Sequence, residues 1–192
     1  MTARLTVICQ GATAANRASA FPDNEPLEER TDLAFPEGQI IAGRYDEALV
    51  SPMLAARQTA EALSLRCEED PDLQDVDYGD WAGRTIAEIA HEHADLLGQW
   101  MADPAFDGHG GESLEKLFER IGRWMANHAA GRITIVTHAA VIRAMVIATL
   151  NAPAEAFWKI DIAPLTVAKL RHDGRRWALR SCGLALAGGF RL

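Results

Sequence analysis

The chain has 192 residues, of which 48% are hydrophobic and 24% charged, a balance that fits one folded domain spanning 1–192 and excludes a disordered or fibrous chain. A formal net charge of −8 and the lack of any Lys/Arg run leave little to neutralise a nucleic-acid backbone or an anionic bilayer, so neither is an expected partner. No apolar stretch reaches the roughly 20 residues that span a membrane, and the start MTARLTVICQ lacks a secretory pattern, so the expected setting is cytoplasmic.

Residues 4–10 (RLTVICQ) form a β-branched apolar run ending at Gly11, which predicts a buried strand and a tight strand-to-helix turn. Residues 21–38, rich in Pro, Asp and Glu, read as a surface loop. Ala48–Val50 predicts a short strand, and Ser51-Pro52 followed by MLAARQTAEAL predicts a helix with Ser51 as N-cap and Pro at its first position. A strand is expected near 65–68, a loop over 73–83, and helices over 85–100 and 113–128. ITIVT (133–137) has the continuous β-branched character of a strand buried on both faces, followed by His138 and the helix AAVIRAMVIATL. Residues 158–171 and 175–182 alternate like two strands around His172-Asp173-Gly174. Together these predict a three-layer α/β/α sandwich on a mostly parallel sheet closed by a C-terminal β-hairpin.

Several segments, in order, are similar to those of the histidine phosphatases, the phosphoglycerate mutase-like superfamily. The family's first strand ordinarily ends in Arg-His-Gly, followed by Thr and Asn; here it reads Cys9-Gln10-Gly11-Ala12-Thr13-Ala14-Ala15-Asn16. SPMLAARQTAEAL resembles the family helix that carries Arg at its fifth position, which is Ala55 here. LQDVDYGDWAG resembles the loop that carries an acidic residue, with Asp75 in place of Glu. Gly110-Gly111-Glu112-Ser113 matches a family helix start, and ITIVTHAAVIRAM matches the strand-His-helix element, with His138 retained and Ala139 after it. The matches run from about residue 5 to about residue 166.

The resemblance implies a site in which an imidazole attacks phosphorus, two arginines and a second histidine hold the phosphoryl oxygens, and an acid protonates the leaving oxygen. Catalytic positions fall on Gln10, Asp75 and His138, and binding positions on Cys9, Gly11, Thr13, Asn16, Ala55 and Ala139. An amide nitrogen has its lone pair delocalised into the carbonyl, so Gln10 cannot be the nucleophile. Cys9 and Ala55 in place of two guanidiniums remove about 1.5–3 kcal/mol for each charged hydrogen bond lost, weakening phosphate binding roughly 10²–10⁴-fold. Arg57 lies about 200° around the helix from Ala55 and is no evident replacement.

Each residue also has a plainer reading. His138 taken alone reads as a hydrogen-bonded core histidine, and Gln10 as a polar strand end capping backbone groups. Cys9 is either a small core hydrophobe or, with a lowered pKa, a new nucleophile; strand alternation turns it to the face opposite Gln10. Glu112 and Ser113 read as a helix entrance with Ser113 the N-cap, and His91, His93 and His109 as solvated surface residues rather than a metal site. Trp81, Trp100, Trp124, Trp158 and Trp177 read as core or as a substrate wall. The three cysteines, Cys9, Cys67 and Cys182, suit neither a disulfide framework nor a metal site, and no cofactor is implied.

Two functions remain in view. One is a non-catalytic binding or regulatory domain that meets a small anionic or phosphorylated molecule at weak affinity, with room for a homodimer. The other is an enzyme, either a residual phosphomonoesterase acting on a small cytoplasmic phosphate ester or a changed chemistry using His138, Asp75 and Cys9.

Overall fold

The computed structural model describes residues 2–28 and 45–186. Six strands form one sheet: β1 (Ala3–Cys9), β2 (Glu47–Val50), β3 (Glu68–Glu69), β4 (Gly131–Thr137), β5 (Thr166–His172) and β6 (Trp177–Ala185), in the order β3-β2-β4-β1-β5-β6. β1, β2, β3 and β4 run parallel, and β5 and β6 add an antiparallel edge. Six helices pack around them: α1 (Ala14–Ala18), α2 (Leu54–Ala62), α3 (Ile86–Glu92), α4 (Ala94–Ala102), α5 (Leu114–Asn127) and α6 (Ala139–Leu150).

The β-branched central strands are buried on both faces, as crossover helices require. Leu5, Val7 and Cys9 of β1 and Ile133 and Ile135 of β4 face a core built with α5 and α6. Ile8, Val50 and Val136 point the other way, onto Ala56 and Ala60 of α2. α5 presents Leu114, Leu117, Ile121, Trp124 and Met125 at helical spacing, and the Lys116 N–H donates to Ser113 Oγ at 3.3 Å, so Ser113 is the N-cap expected. α6 buries seven of its twelve residues, and Asn151 ends it in a left-handed conformation that Asn tolerates.

Several boundaries differ from expectation. α2 begins at Leu54, with Met53 extended before it, because Ser51 Oγ accepts the Met53 N–H (3.2 Å) instead of capping the helix. The helix expected over 85–100 is two, broken at His93 by non-helical dihedrals (φ −142°, ψ 49°). The strand expected near 65–68 is reduced to Glu68–Glu69, and 158–165 is not a strand: a 3₁₀ segment, Ala154–Lys159, leads into β5. The loop over 73–83 contains a 3₁₀ turn, Gly79–Trp81, and of the loop expected over 21–38 the part from 29 onward lies outside the described residues.

Two loops are locked together beside the sheet. The Glu112 N–H donates to Asp77 O (2.7 Å) and the Asp80 N–H to His109 O (2.8 Å). A Cβ at Gly79 or Gly111 would collide with the facing backbone, and Gly79 also takes φ +50°. The Tyr-Gly and Gly-Gly-Glu-Ser segments therefore need their glycines for close approach. His109, expected at the surface, is 1% exposed, packed on Trp81 and Phe106 at ring distances of 5.1 and 5.6 Å. His91 and His93 are exposed, as expected.

No helix among the described residues is long and apolar enough to cross a membrane.

Candidate functional site

The parallel strands β1, β2 and β4 end at Cys9, Val50 and Thr137, and the next residue of each is Gln10, Ser51 and His138. Three polar side chains thus stand in line at the carboxyl edge of the sheet, where open α/β folds bind ligands. Gln10, Ala55 and His138 border one cleft of about 180 Å³, including space open to solvent. Its other walls are Pro22, Asn24, Glu25 and Met53.

His138 is 2% exposed, and its Nε2 lies 2.7 Å from Ser51 Oγ. Ser51 Oγ also accepts the Met53 N–H, and as one donor with two acceptor lone pairs it pairs with either tautomer of the imidazole. Nδ1 faces Asp75 Oδ2 at 3.6 Å, an ion-pair distance but too long for a hydrogen bond. Asp75 Oδ1 accepts the Val76 N–H (2.9 Å), which fixes the carboxylate. Asp75, 7% exposed, is not among the residues that border the cleft.

Burial pushes the His138 pKa down, Asp75 pulls it up, Arg120 adds to the downward push, and Glu25 pulls upward; the net direction is down from 6.5. A histidine harder to protonate folded than unfolded contributes stability above the unfolded pKa and loses it as pH falls. His109, also held down by burial, acts in the same direction. The expected result is an unfolding free energy that falls between about pH 7 and pH 5, with a shallower fall in His138→Gln. Urea unfolding across that range checks it; an unchanged slope in the variant would show that His138 is not the group responsible.

Cys9 does not reach the cleft. It is 2% exposed among Leu5, Val7 and the α6 core, and burial, reinforced by Asp75, pushes its thiol up to about 12. A thiol this reluctant to ionise is no nucleophile, so Cys9 is the small core hydrophobe of its plainer reading. Gly11 ties β1 to α2: its N–H donates to Thr59 Oγ1 (2.9 Å), which donates to Ala55 O (2.7 Å). Thr13 and Asn16 are occupied locally, with the Thr13 N–H donating to Asn16 Oδ1 at 2.9 Å. Ala139 opens α6 and packs against its core.

Two residues of the site escape the sequence reading. Ser51 reads as a helix cap, although its place directly after β2, in line with Gln10 and His138, is a usable signal. Glu25 carries no signal, since it lies in an irregular polar segment. Its Oε1 accepts the Thr13 hydroxyl (2.6 Å) and its Oε2 the Asp23 N–H (2.7 Å). Burial alone would raise its pKa, but the hydrogen bonds from Thr13 and backbone N–H groups outweigh it and hold the carboxyl below its usual range. Glu25 is therefore a carboxylate at neutral pH.

No Lys or Arg among the described residues borders the cleft. Arg17 pairs with Glu28, Arg84 with Glu92, and Arg57 with Glu69. Arg143 Nε donates to Ile160 O, with its guanidinium over Phe157. Arg120 grips Glu112 with two nitrogens (2.9 and 2.6 Å) and donates to Asp72 O and Gln74 O.

Comparison with known proteins bears on this geometry. The family model described as histidine phosphatase superfamily (branch 1) matches residues 38–184. A Mycobacterium tuberculosis protein named as bifunctional is 29% identical over 154 residues, covering 77% of this chain; the chain spans 40% of that relative's length. Adenosylcobalamin/alpha-ribazole phosphatase of Salmonella typhimurium is 25% identical over 173 residues, covering 83% of this chain and 85% of the relative. Among solved structures, a mycobacterial glucosyl-3-phosphoglycerate phosphatase superposes with TM-score 0.81 at 21% identity, covering 96% of this chain and 100% of that one. A phosphoserine phosphatase mutant of Entamoeba histolytica gives TM-score 0.82 at 17% identity, covering 94% and 96%. With its sheet order, its ordered motifs and a family model spanning most of its length in agreement, this chain belongs to branch 1 of the histidine phosphatase superfamily.

Proposed function

We propose that this superfamily member is a non-catalytic binding or regulatory domain whose phosphate-transfer site has been dismantled. One observation carries the reading: the cleft is bordered by the amide of Gln10 and the carboxylate of Glu25, and by no cation among the described residues. Phosphoryl transfer depends on positioning and on neutralising a dianion, and this cleft offers a like charge instead. A histidine next to an aspartate survives, and that pair supports the second reading, a residual phosphomonoesterase in which His138 handles a proton.

Turnover of p-nitrophenyl phosphate by the purified protein separates the two, with His138→Ala as the control for contaminating phosphatase. The expected result is no rate above that of the control; a robust rate lost in His138→Ala would establish the residual enzyme. Inorganic phosphate is expected to bind no tighter than millimolar. Calorimetric titration giving a micromolar Kd would show that cations outside the described cleft have replaced the missing pair.

A further inference from the structure

α2 covers one face of the sheet toward the carboxyl ends of the strands, where it packs on Ile8, Val50 and Val136. Strand alternation turns Arg4 of β1 and Arg132 of β4 to that same face near the amino ends of their strands, and both are exposed. The register sets Arg4 directly between Arg132 on one side and Arg171 of β5 on the other, each one strand spacing of about 4.8 Å away. Lys169, two residues before Arg171 and also exposed, shares the face, and Arg180 is exposed at the bulge where β6 passes Lys169. Like charges directly opposite one another on neighbouring strands destabilise a sheet. Asp46 offsets part of this by pairing with Arg132 at 2.7 Å, but among the described residues no carboxylate pairs with Arg4, Lys169, Arg171 or Arg180. On a chain of net charge −8 this row is a local reversal of sign, held at a cost in repulsion.

We propose that this row docks a short segment of a partner protein rich in Asp and Glu. Four of the five cations are arginines, whose planar forks match carboxylates in bidentate pairs. The row crosses β4, β1, β5 and β6, a width of about 15 Å, which about four or five residues of extended chain would span. A nucleic-acid backbone or an anionic bilayer would run past the row onto a surface more acidic than the chain as a whole, and the repulsion there disfavours both. The row lies toward the amino ends of β1 and β4, whereas Gln10 and His138 follow their carboxyl ends, so the proposal does not depend on whether the cleft transfers phosphate.

The test is fluorescence anisotropy of a fluorescein-labelled octaglutamate peptide titrated with the full chain at low salt, with labelled oligothymidylate of eight nucleotides and phosphatidylserine vesicles as the other arms. Saturable binding of octaglutamate is expected, tighter than that of either alternative and weakened by added sodium chloride, as exposed ion pairs are. Arg4→Gln/Arg171→Gln is expected to weaken it about 10-fold, the combined scale of two exposed ion pairs. Arg123→Gln, an exposed cation on α5 beyond the opposite face of the sheet, is expected to leave it unchanged. The double variant should also melt at or above the wild-type temperature, because it removes repulsion between neighbouring strands. A lower melting temperature would mark the row as part of the fold's own packing and overturn the proposal. So would absence of saturation, wild-type affinity in the double variant, an equal loss in Arg123→Gln, or tighter binding of the oligonucleotide or the vesicles.

Discussion

Gln10→His alone is expected to leave the protein without phosphatase turnover. If only the nucleophile were missing, the rest of the site would already be preorganised and one imidazole would restore the reaction. The cleft instead has Ala55 at one wall, Glu25 at another and no guanidinium among the described residues. A phosphate dianion beside the introduced imidazole would meet an uncompensated carboxylate, and the transition state would stay high. Adding Ala55→Arg puts a planar, permanently charged donor at the cleft wall. The double variant Gln10→His/Ala55→Arg should therefore exceed either single variant by at least about 10-fold in turnover of a generic phosphate ester, since residues that act as one unit are non-additive. Cys9→Arg is the restoration the fold resists. Cys9 sits inside the core, so an arginine there brings overpacking of about 1–3 kcal/mol plus the burial of a charge, and its expected outcome is a lower melting temperature. Full activity from Gln10→His alone would show an intact phosphate cradle.

Arg120→Ala is expected to destabilise the fold severely. Arg120 is 8% exposed, binds the nearly buried Glu112 with two nitrogens and donates to the carbonyls of Asp72 and Gln74. Truncating it strands the Glu112 carboxylate and two carbonyls together, and breaking a buried pair by removing one partner typically costs about 3–5 kcal/mol. For a chain of this size that is a fall in Tm of roughly 6–20 °C. One of the carbonyls it holds, Gln74 O, lies directly before Asp75, so the carboxylate facing His138 should lose its fixed position as well. Thermal unfolding followed by circular dichroism checks the first point; a fall worth less than about 1 kcal/mol, the scale of an exposed ion pair, would show that water replaces Arg120 at small cost.

The sheet and its carboxyl edge are legible in the sequence because β1 and β4 are continuous β-branched runs, a pattern that leaves few alternatives to a strand buried on both faces. α5 is legible because its apolar residues repeat at helical spacing behind a Ser cap. The break at His93 is not, since neither Gly nor Pro marks it and the helical pattern runs across it. The expected first strand of the hairpin starts too early because Trp158-Lys159-Ile160-Asp161-Ile162 alternates apolar and polar residues as a half-buried strand does. Within the site, the place of His138 beside Gln10 and Ala55 can be read from motif positions, whereas the partners cannot. Ser51 bonds a residue 87 positions away, and Glu25 joins the cleft only because Thr13 and backbone N–H groups pin it there. Both depend on long-range packing, which local patterns do not carry.

The most direct test of a dismantled transfer site is chemical trapping of a phosphoenzyme. Protein is mixed with a radiolabelled phosphate ester, quenched within milliseconds and resolved under conditions that preserve phosphohistidine. With Gln10 unable to attack phosphorus and Cys9 held as a buried thiol, no stoichiometric label should remain on the wild-type chain. Acid-labile label on His138, or acid-stable label on Ser51, would show that the site still forms a covalent phosphoryl intermediate and that its chemistry was moved rather than lost.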